Sequence, residues 1–166
     1  GDELLLYEPD RQYWRLVTPV FLHIGWLHIA FNCLWLWEFG RRVEHALGSL
    51  ALFMLFLGIA VFSNLCQFHF GGPGLFGGMS GVVYGMLGFA WTAPAFQPRW
   101  DFQPLPAVVL FMVGWLFACM AGLVEALGFG AIANAAHVGG LAAGVVLGVL
   151  LGLMSGRGDS GPVTRV

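Results

Sequence analysis

The feature that most constrains this sequence is its long uncharged stretch. Between Glu44 and Arg99 the chain contains no Asp, Glu, Lys or Arg, and a Gly-Gly-Pro-Gly run at 71–74 interrupts it. Spans of about 20 apolar residues cross a bilayer as helices, so this stretch holds more than one. Over the whole chain only 10% of residues are charged, against about 25% in soluble domains. The sequence therefore predicts an all-α polytopic membrane protein, and its lack of a basic run predicts no nucleic-acid partner.

The apolar pattern predicts one domain with five membrane helices. An external interfacial loop over 1–19 precedes them, with Tyr13-Trp14-Arg15 as an anchor at the membrane surface. A disordered cytoplasmic tail is expected over 155–166, after a domain that ends at 154. We place the helices at about 20–39, 49–68, 80–93, 105–126 and 134–154.

The positions of the arginines predict an orientation. Those that follow the first, third and fifth helices share one side, and they are Arg41, Arg42, Arg99, Arg157 and Arg165. The loops at 69–79 and 127–133, on the opposite side, carry no charge. The positive-inside rule places the arginine side in the cytoplasm. It follows that His28, Ser80 and His137 lie at a common level in the outer half of the membrane.

The third helix looks too short to cross the membrane alone. From Ser80 to Pro94 there is room for roughly 14 helical residues, about 21 Å at 1.5 Å per residue. The hydrocarbon core is about 30 Å thick, so the outer end should be sunk roughly 10 Å. The loop at 71–78 must then dip into the membrane, which is tolerated only inside protein or beside a water-filled cavity. The pattern therefore indicates a polar site below the membrane surface.

Ser80 and His137 have the residue types of a nucleophile and its general base. Ser80 follows the glycine turn at 77–78 and could alternatively be a simple helix N-cap. The segment is not the Gly-x-Ser-x-Gly elbow of α/β-hydrolases, since residue 82 is Val. His137 is an intramembrane ionisable residue, which is functional by default, although a structural hydrogen bond is the alternative. Desolvation keeps a histidine neutral, the state that a general base requires.

Small residues at four-residue spacing allow these two helices to approach closely. One Gly-x-x-x-Gly pair follows Ser80, and a glycine ridge follows His137; the residues are Gly81, Gly85, Gly140, Gly144, Gly148 and Gly152. Such ridges let helix backbones meet, and a Ser–His hydrogen bond needs about 2.6–3.2 Å. When the glycines are taken alone, plain helix packing is the better explanation for them.

His28 and Asn32 are candidates for stabilising an oxyanion. Their i, i+4 spacing places them on one face of the first helix, and both side chains offer N–H donors. His23 is a third nearby histidine, but no acidic or Cys ligand accompanies it at a metal-binding spacing, so we expect no metal and no cofactor.

A Ser–His dyad is favoured over a triad. Glu125 is the nearest candidate carboxylate in the predicted topology, and it lies at the outer end of the fourth helix, where solvation is the default. In a dyad the imidazole of His137 is oriented by packing. Tyr84 lies one turn below Ser80 and is the ring expected to stack on it.

Several motifs together resemble those of the rhomboid family of intramembrane serine proteases, specifically its bacterial members. The resemblance runs from about Trp14 to Met154, and several motifs in the right order make it specific. The matching segments are Trp14-Arg15, His23-x4-His28-x3-Asn32, Leu47-Gly48-Ser49, residues 77–85 (Gly-Gly-Met-Ser-Gly-Val-Val-Tyr-Gly) and residues 133–137 (Ala-Asn-Ala-Ala-His).

The resemblance implies a rhomboid-like helical bundle and a role for each site residue. Ser80 is the implied nucleophile, His137 the base and then the acid, and His28, Asn32 and the Ser80 N–H the oxyanion hole. Gly78 is implied to keep the loop backbone close to the substrate, with Tyr84 and Asn134 as supporting residues. The fourth helix and the 127–133 loop resemble the family's substrate gate and cap.

The implied partners are membrane lipid and the transmembrane segments of other proteins. Cleavage is implied near the outer end of such a segment, at small residues and helix-weakening sequences. The implied location is a bacterial inner membrane, with the site open to the periplasmic side. The family core has six helices, so the helix that precedes the Trp-Arg loop is expected to be missing from this chain, and its acidic start predicts no cleavable signal peptide.

Two alternatives to a protease stay open at the level of the sequence. One is a catalytically inactive rhomboid relative that binds membrane segments without cutting them, for which Ser80→Ala would be harmless. The other is a transporter or proton channel that uses His28 and His137 as a relay. The relay predicts pH-dependent flux, and it leaves the glycine turn before Ser80 without a purpose. The sequence does not indicate an oligomeric state.

Overall fold

A computed structural model of the chain describes residues 12–72, 74–128 and 130–155. These ranges contain no strand, so the predicted all-α class is confirmed. Residues 1–11 of the predicted external loop and residues 156–166 of the predicted tail lie outside them. Two short 3₁₀ helices, Tyr13–Leu16 and Thr18–Phe21, precede the α-helices of the described part, which are α1 (Trp26–Leu47), α2 (Ser49–Phe70), α3 (Ser80–Phe96), α4 (Pro106–Met120), α5 (Leu123–Ala126) and α6 (Asn134–Met154).

Helix α1 is displaced along the sequence from the predicted first span at 20–39. It begins only at Trp26, because Thr18–Phe21 forms a 3₁₀ helix and Gly25 has a φ of +89°. It continues to Leu47, since the Glu38 carboxylate forms ion pairs with two arginines one turn further on, with Arg41 at 2.8 Å and with Arg42. Hydropathy marks the part of a helix that lies in lipid, whereas these ion pairs extend the helix beyond it.

The predicted fourth helix at 105–126 is divided in two. The chain leaves α4 after Met120 and turns at Gly122, whose φ of +73° is left-handed, before the single turn of α5. Helix α3 is longer than predicted, because it passes Pro94 and ends at Phe96. Its 17 residues span about 25 Å at 1.5 Å per residue. Its outer end therefore needs to be sunk by only about 5 Å in a 30 Å core.

Helix α3 is the centre of the molecule. Every residue from Gly81 to Ala90 is buried, and α6 is the helix against which α3 packs most extensively. A Cβ added at Gly140 would overlap the carbonyl oxygen of Gly81, and one at Gly144 would overlap that of Gly85. The glycine ridge of α6 therefore lies directly on the backbone of α3, as small residues permit.

The outside of the bundle is apolar. Large side chains such as Trp37, Leu110 and Phe117 are at least 65% exposed. Helices α2 and α6 are long and apolar enough to cross a membrane by length and composition, and only 28% and 33% of their most apolar windows are buried. Contiguous exposed apolar surface is rare in soluble monomers. The surface is that of a protein surrounded by lipid.

Candidate active site

Ser80 and His137 come together where α3 and α6 begin. Ser80 is the first residue of α3 and His137 is the fourth of α6. The N-cap of α3 is Met79 and not Ser80, and Oγ of Ser80 lies 2.7 Å from Nε2 of His137. The structure therefore brings together the two residues that the sequence paired. Their catalytic roles stay predictions.

The ring of His137 is held by packing and not by an acid. It is buried, and it lies against the ring of Tyr84 with centroids 4.9 Å apart and planes inclined at 41°. The Tyr84 hydroxyl in turn donates to the backbone oxygen of Met112 at 3.0 Å, which fixes that ring between α3 and α4. Within the described part of the chain, Nδ1 of His137 is buried and has no hydrogen-bond partner. The arrangement is a dyad.

The Glu125 carboxylate hydrogen-bonds to the backbone and not to His137. Its Oε1 accepts a hydrogen bond from the backbone N–H of Ile132 at 2.9 Å. The carboxylate thus ties α5 to the segment that leads into α6. It is not a third member of the dyad.

Gly78 brings the backbone between His28 and the nucleophile. Its φ of +119° is left-handed, and a Cβ there would lie 2.7 Å from Cε1 of His28 and 3.7 Å from Oγ of Ser80. Its N–H donates to the backbone oxygen of Pro19 at 3.0 Å. Only glycine fits this conformation and this space together. The loop can therefore pass His28 without covering Ser80.

Asn32 follows His28 by one helical turn. It is buried, and its Nδ2 has no hydrogen-bond partner among the residues that the structure describes. A buried donor without an acceptor is costly unless something else accepts from it. His28, one turn earlier on the same face of α1, lies beside Gly78, two residues before α3 begins.

His23 holds the residue that precedes Ser80. Its Nε2 accepts from the backbone N–H of Met79 at 3.4 Å, and its Nδ1 donates to the backbone oxygen of Phe21 at 3.2 Å. Its ring also meets that of His28 edge to face, with centroids 5.0 Å apart. His23 therefore fixes the loop before Ser80, and His28 faces Gly78.

Two polar residues of α2 that the sequence analysis missed help to position the site. Oε1 of Gln67 accepts from the backbone N–H of Ala136 at 3.0 Å, in the turn that carries His137. Nδ2 of Asn64 donates to the backbone oxygen of Leu16 at 2.8 Å and fastens the external segment to the bundle. The available signal was polarity: amides inside an apolar span need a partner.

Asn134, predicted as a supporting residue, begins α6. Its Nδ2 donates to the backbone oxygen of Cys119 at 3.3 Å, which joins the start of α6 to the end of α4. Together with Gln67 it fixes the first turn of α6 from two sides. The position of the imidazole is thus set by neighbouring helices.

Comparisons with known proteins give one consistent result. The model of the rhomboid domain matches residues 10–154. The chain is 41% identical over 165 residues to the rhomboid protease GlpG of Serratia proteamaculans, covering 95% of this chain and 56% of that protein. It is 38% identical over 143 residues to the protein of the same name from Klebsiella pneumoniae, covering 85% and 50%. It is 41% identical over 136 residues to the rhomboid protease GlpG of Yersinia pseudotuberculosis, covering 82% of this chain and 47% of that protein. The chain thus spans about half the length of the curated relatives it matches.

Proposed function

Because this chain belongs to the rhomboid family, we propose that it is an intramembrane serine endopeptidase. In this proposal it hydrolyses peptide bonds in or near the transmembrane segments of other membrane proteins. The observation that supports it most is the 2.7 Å contact between Oγ of Ser80 and Nε2 of His137, at the start of two apolar helices. A hydroxyl and a neutral imidazole at this distance are what acyl transfer requires.

The reaction follows from the dyad in two halves. Oγ of Ser80 attacks the carbonyl carbon of the scissile bond, and Nε2 of His137 takes the hydroxyl proton. The imidazolium then donates that proton to the leaving amine nitrogen, the C–N bond breaks, and an acyl-enzyme remains. In the second half a water molecule gives its proton to His137 and attacks the ester. The proton returns to Oγ as the acid product leaves.

The oxyanion is assigned to three donors. As the first residue of α3, Ser80 has a backbone N–H for which the helix itself provides no partner. The unpartnered Nδ2 of Asn32 and the ring of His28 beside Gly78 supply the other two donors. Such donors act on charge that develops only in the transition state, so they accelerate the reaction without holding the substrate.

The proposed substrates are single membrane spans cut near their outer end, at small residues and helix-weakening sequences. A helical peptide bond is shielded by its own hydrogen bonds, so local unwinding must precede attack. The proposed location is a bacterial inner membrane with the site open to the periplasm, following the predicted arginine bias. The proposed entry for the substrate lies at α4, α5 and the 127–133 loop.

Cleavage of a single-span model substrate tests the proposal. The full-length protein that contains this chain would be purified and compared in liposomes with its Ser80→Ala and His137→Ala forms. We expect each substitution to abolish cleavage and leave the thermal unfolding temperature nearly unchanged. Ser63→Ala is the matched control, because Ser63 is a buried intramembrane serine whose Oγ donates to the backbone oxygen of Ala60 at 3.1 Å and to no other described residue. It should keep most of the activity.

A fluorophosphonate probe separates the outcomes. Labelling of the unmodified protein, absent in Ser80→Ala, would show an activated serine even if the chosen substrate were poor. If the protein neither cleaves the substrate nor reacts with the probe, the protease proposal is overturned and a binding relative is favoured. Proton flux that survives Ser80→Ala would favour the relay.

A further inference from the structure

His23 is the member of the His23-x4-His28-x3-Asn32 motif that has no role in the proposed reaction. It lies between the second 3₁₀ helix and α1. This part of the external segment packs closely on the loop at 77–79. The N–H of Gly78 donates to the backbone oxygen of Pro19 at 3.0 Å. A Cβ added at Gly77 would lie only 2.6 Å from Cβ of Leu22. The segment that carries His23 is therefore fitted to the loop that leads into α3.

The two ring nitrogens of His23 have different partners, and these partners fix its tautomer. Nδ1 lies 3.2 Å from the backbone oxygen of Phe21, and Nε2 lies 3.4 Å from the backbone nitrogen of Met79, the N-cap of α3. Because a carbonyl only accepts and an N–H only donates, the proton is on Nδ1 and Nε2 is the acceptor. A protonated imidazole has two donors and no acceptor. Only the neutral ring of His23 therefore serves both partners.

The surroundings of His23 offer no compensation for a charged ring. His28 is the titratable group that faces it, edge to face with ring centroids 5.0 Å apart. Its partners in the 3₁₀ helix and in the loop, Phe21 and Met79, are uncharged. Within the described ranges no carboxylate forms an ion pair with it. Imidazole gains its proton just below neutral pH, and a proton on Nε2 would set one N–H against another.

We propose that neutral His23 is a positioning residue for the nucleophile loop. By accepting from the Met79 N–H it fixes the chain that leads into Ser80, and with it the Ser80 N–H assigned to the oxyanion. It acts through Met79 and touches neither the substrate nor the reacting atoms. Protonation of the ring releases the loop and weakens stabilisation of the transition state, while the Ser80–His137 contact keeps its length. The inference rests on the proposed protease and adds a residue that positions its oxyanion site.

Two variants separate the acceptor from the proton. His23→Gln keeps an oxygen that accepts and an N–H that donates, and it does not titrate. His23→Phe keeps a ring and removes both functions. Fluorophosphonate labelling of Ser80 would be measured in the full-length protein between about pH 8 and about pH 5.5. Dividing each rate by that of the unmodified protein cancels the titrations of His28 and His137, which all forms share.

The two variants should diverge in opposite directions with pH. At about pH 8 we expect His23→Phe to react about fivefold more slowly than the unmodified protein, the effect of one lost hydrogen bond. At about pH 5.5 the two should converge, because the protonated ring of His23 has also lost its acceptor. His23→Gln should gain about fivefold on the unmodified protein over the same range. Ratios that do not change with pH in either variant would overturn the inference.

Amide hydrogen exchange tests the same contact without catalysis. At one fixed pH near neutrality, the amides of 77–79 should exchange about fivefold faster in His23→Phe than in the unmodified protein, while His23→Gln keeps the protection. His69→Phe is the matched control, since His69 is at the outer end of α2 and its described ring contacts are with Phe68 and Phe70. Unaltered exchange in His23→Phe would overturn the inference even in an active protease. Absence of labelling in the unmodified protein would contradict the protease alone, and exchange would still decide whether His23 holds the loop.

Discussion

At the scale of single residues, two residues of the proposed site have polar atoms without partners in the described part of the chain. Nδ1 of His137 and Nδ2 of Asn32 are both buried and unpaired among the described residues. Unmade hydrogen bonds of this kind cost about 1–3 kcal/mol each. His137 contacts Ser80, and Asn32 lies one helical turn after His28, so both unpartnered atoms belong to residues of the proposed site.

Asn32 should matter for turnover more than for folding. Asn32→Ala removes one proposed oxyanion donor, so we expect kcat to fall by about 10² to 10³, while the unfolding temperature changes little because the amide Nδ2 makes no bond in the resting protein. Kinetics on a single-span substrate and thermal unfolding check the two parts.

Asn64→Ala is the matched control for that experiment. Asn64 is also a buried asparagine in an apolar helix, but its Nδ2 already donates to Leu16 O. Its loss should cost stability, about 1 kcal/mol, with a smaller effect on kcat. Unchanged turnover in Asn32→Ala would remove Asn32 from the oxyanion assignment.

At the scale of secondary structure, the contact between α3 and α6 sets the geometry of the dyad. The glycines of α6 lie on the carbonyl groups of α3 at Gly81 and Gly85, one and five residues after Ser80. No side chain separates the two backbones at these points. The Ser–His distance is therefore determined by direct backbone contact.

Gly140→Ala should disturb both stability and activity. The added methyl would overlap the carbonyl oxygen of Gly81, so the helices must separate, at a cost of about 1–3 kcal/mol for overpacking. We expect a lower unfolding temperature and slower cleavage, because Ser80 and His137 move apart. Both are measured on the protein in one detergent.

Gly114→Ala provides the control for a glycine in a helix of the same bundle. Within the described chain an added Cβ there meets no atom within 4 Å. We expect unchanged activity and an unfolding free energy that is equal or higher by about 0.5–1 kcal/mol. If Gly140→Ala and Gly114→Ala show the same stability and cleavage rate, the α3–α6 contact does not determine the Ser80–His137 distance.

Much of this arrangement could be predicted from the sequence, and there are physical reasons why some helix boundaries and contacts could not. Apolar stretches predicted the all-α class, and the glycine spacing explained how Ser80 and His137 could meet. The boundaries of α1 were wrong because Gly25 and the Glu38 ion pairs, not hydropathy, decide where that helix begins and ends. Gln67 was missed because its partner is a backbone N–H distant in the sequence, which no local pattern reveals.

At the scale of the whole molecule, the described helices form one bundle with an apolar exterior and two chemically different ends. One end holds Ser80 and His137, and the other holds Arg41, Arg42 and Arg99. The arginine bias predicts that the second end is cytoplasmic. The proposed reaction would then face the outer side of the membrane.

Labelling of introduced cysteines tests this orientation. Cys33, Cys66 and Cys119 are free thiols and would first be replaced. In right-side-out vesicles we expect an impermeant maleimide to label Ala131→Cys, which is exposed before α6. Asp101→Cys, exposed between α3 and α4, should react only after permeabilisation. The reverse pattern would invert the topology and place the dyad on the cytoplasmic side.

The glycine contact between α3 and α6 has a mechanical consequence. Packed backbones compress little, so the spacing of nucleophile and base behaves as a fixed length that side-chain motion cannot tune. A bilayer of different thickness strains the helices that it surrounds, and we expect this strain to be taken up at the break at Gly122 and in the single turn of α5. Changes of membrane should therefore alter how readily a substrate enters, while the distance over which the proton moves stays constant.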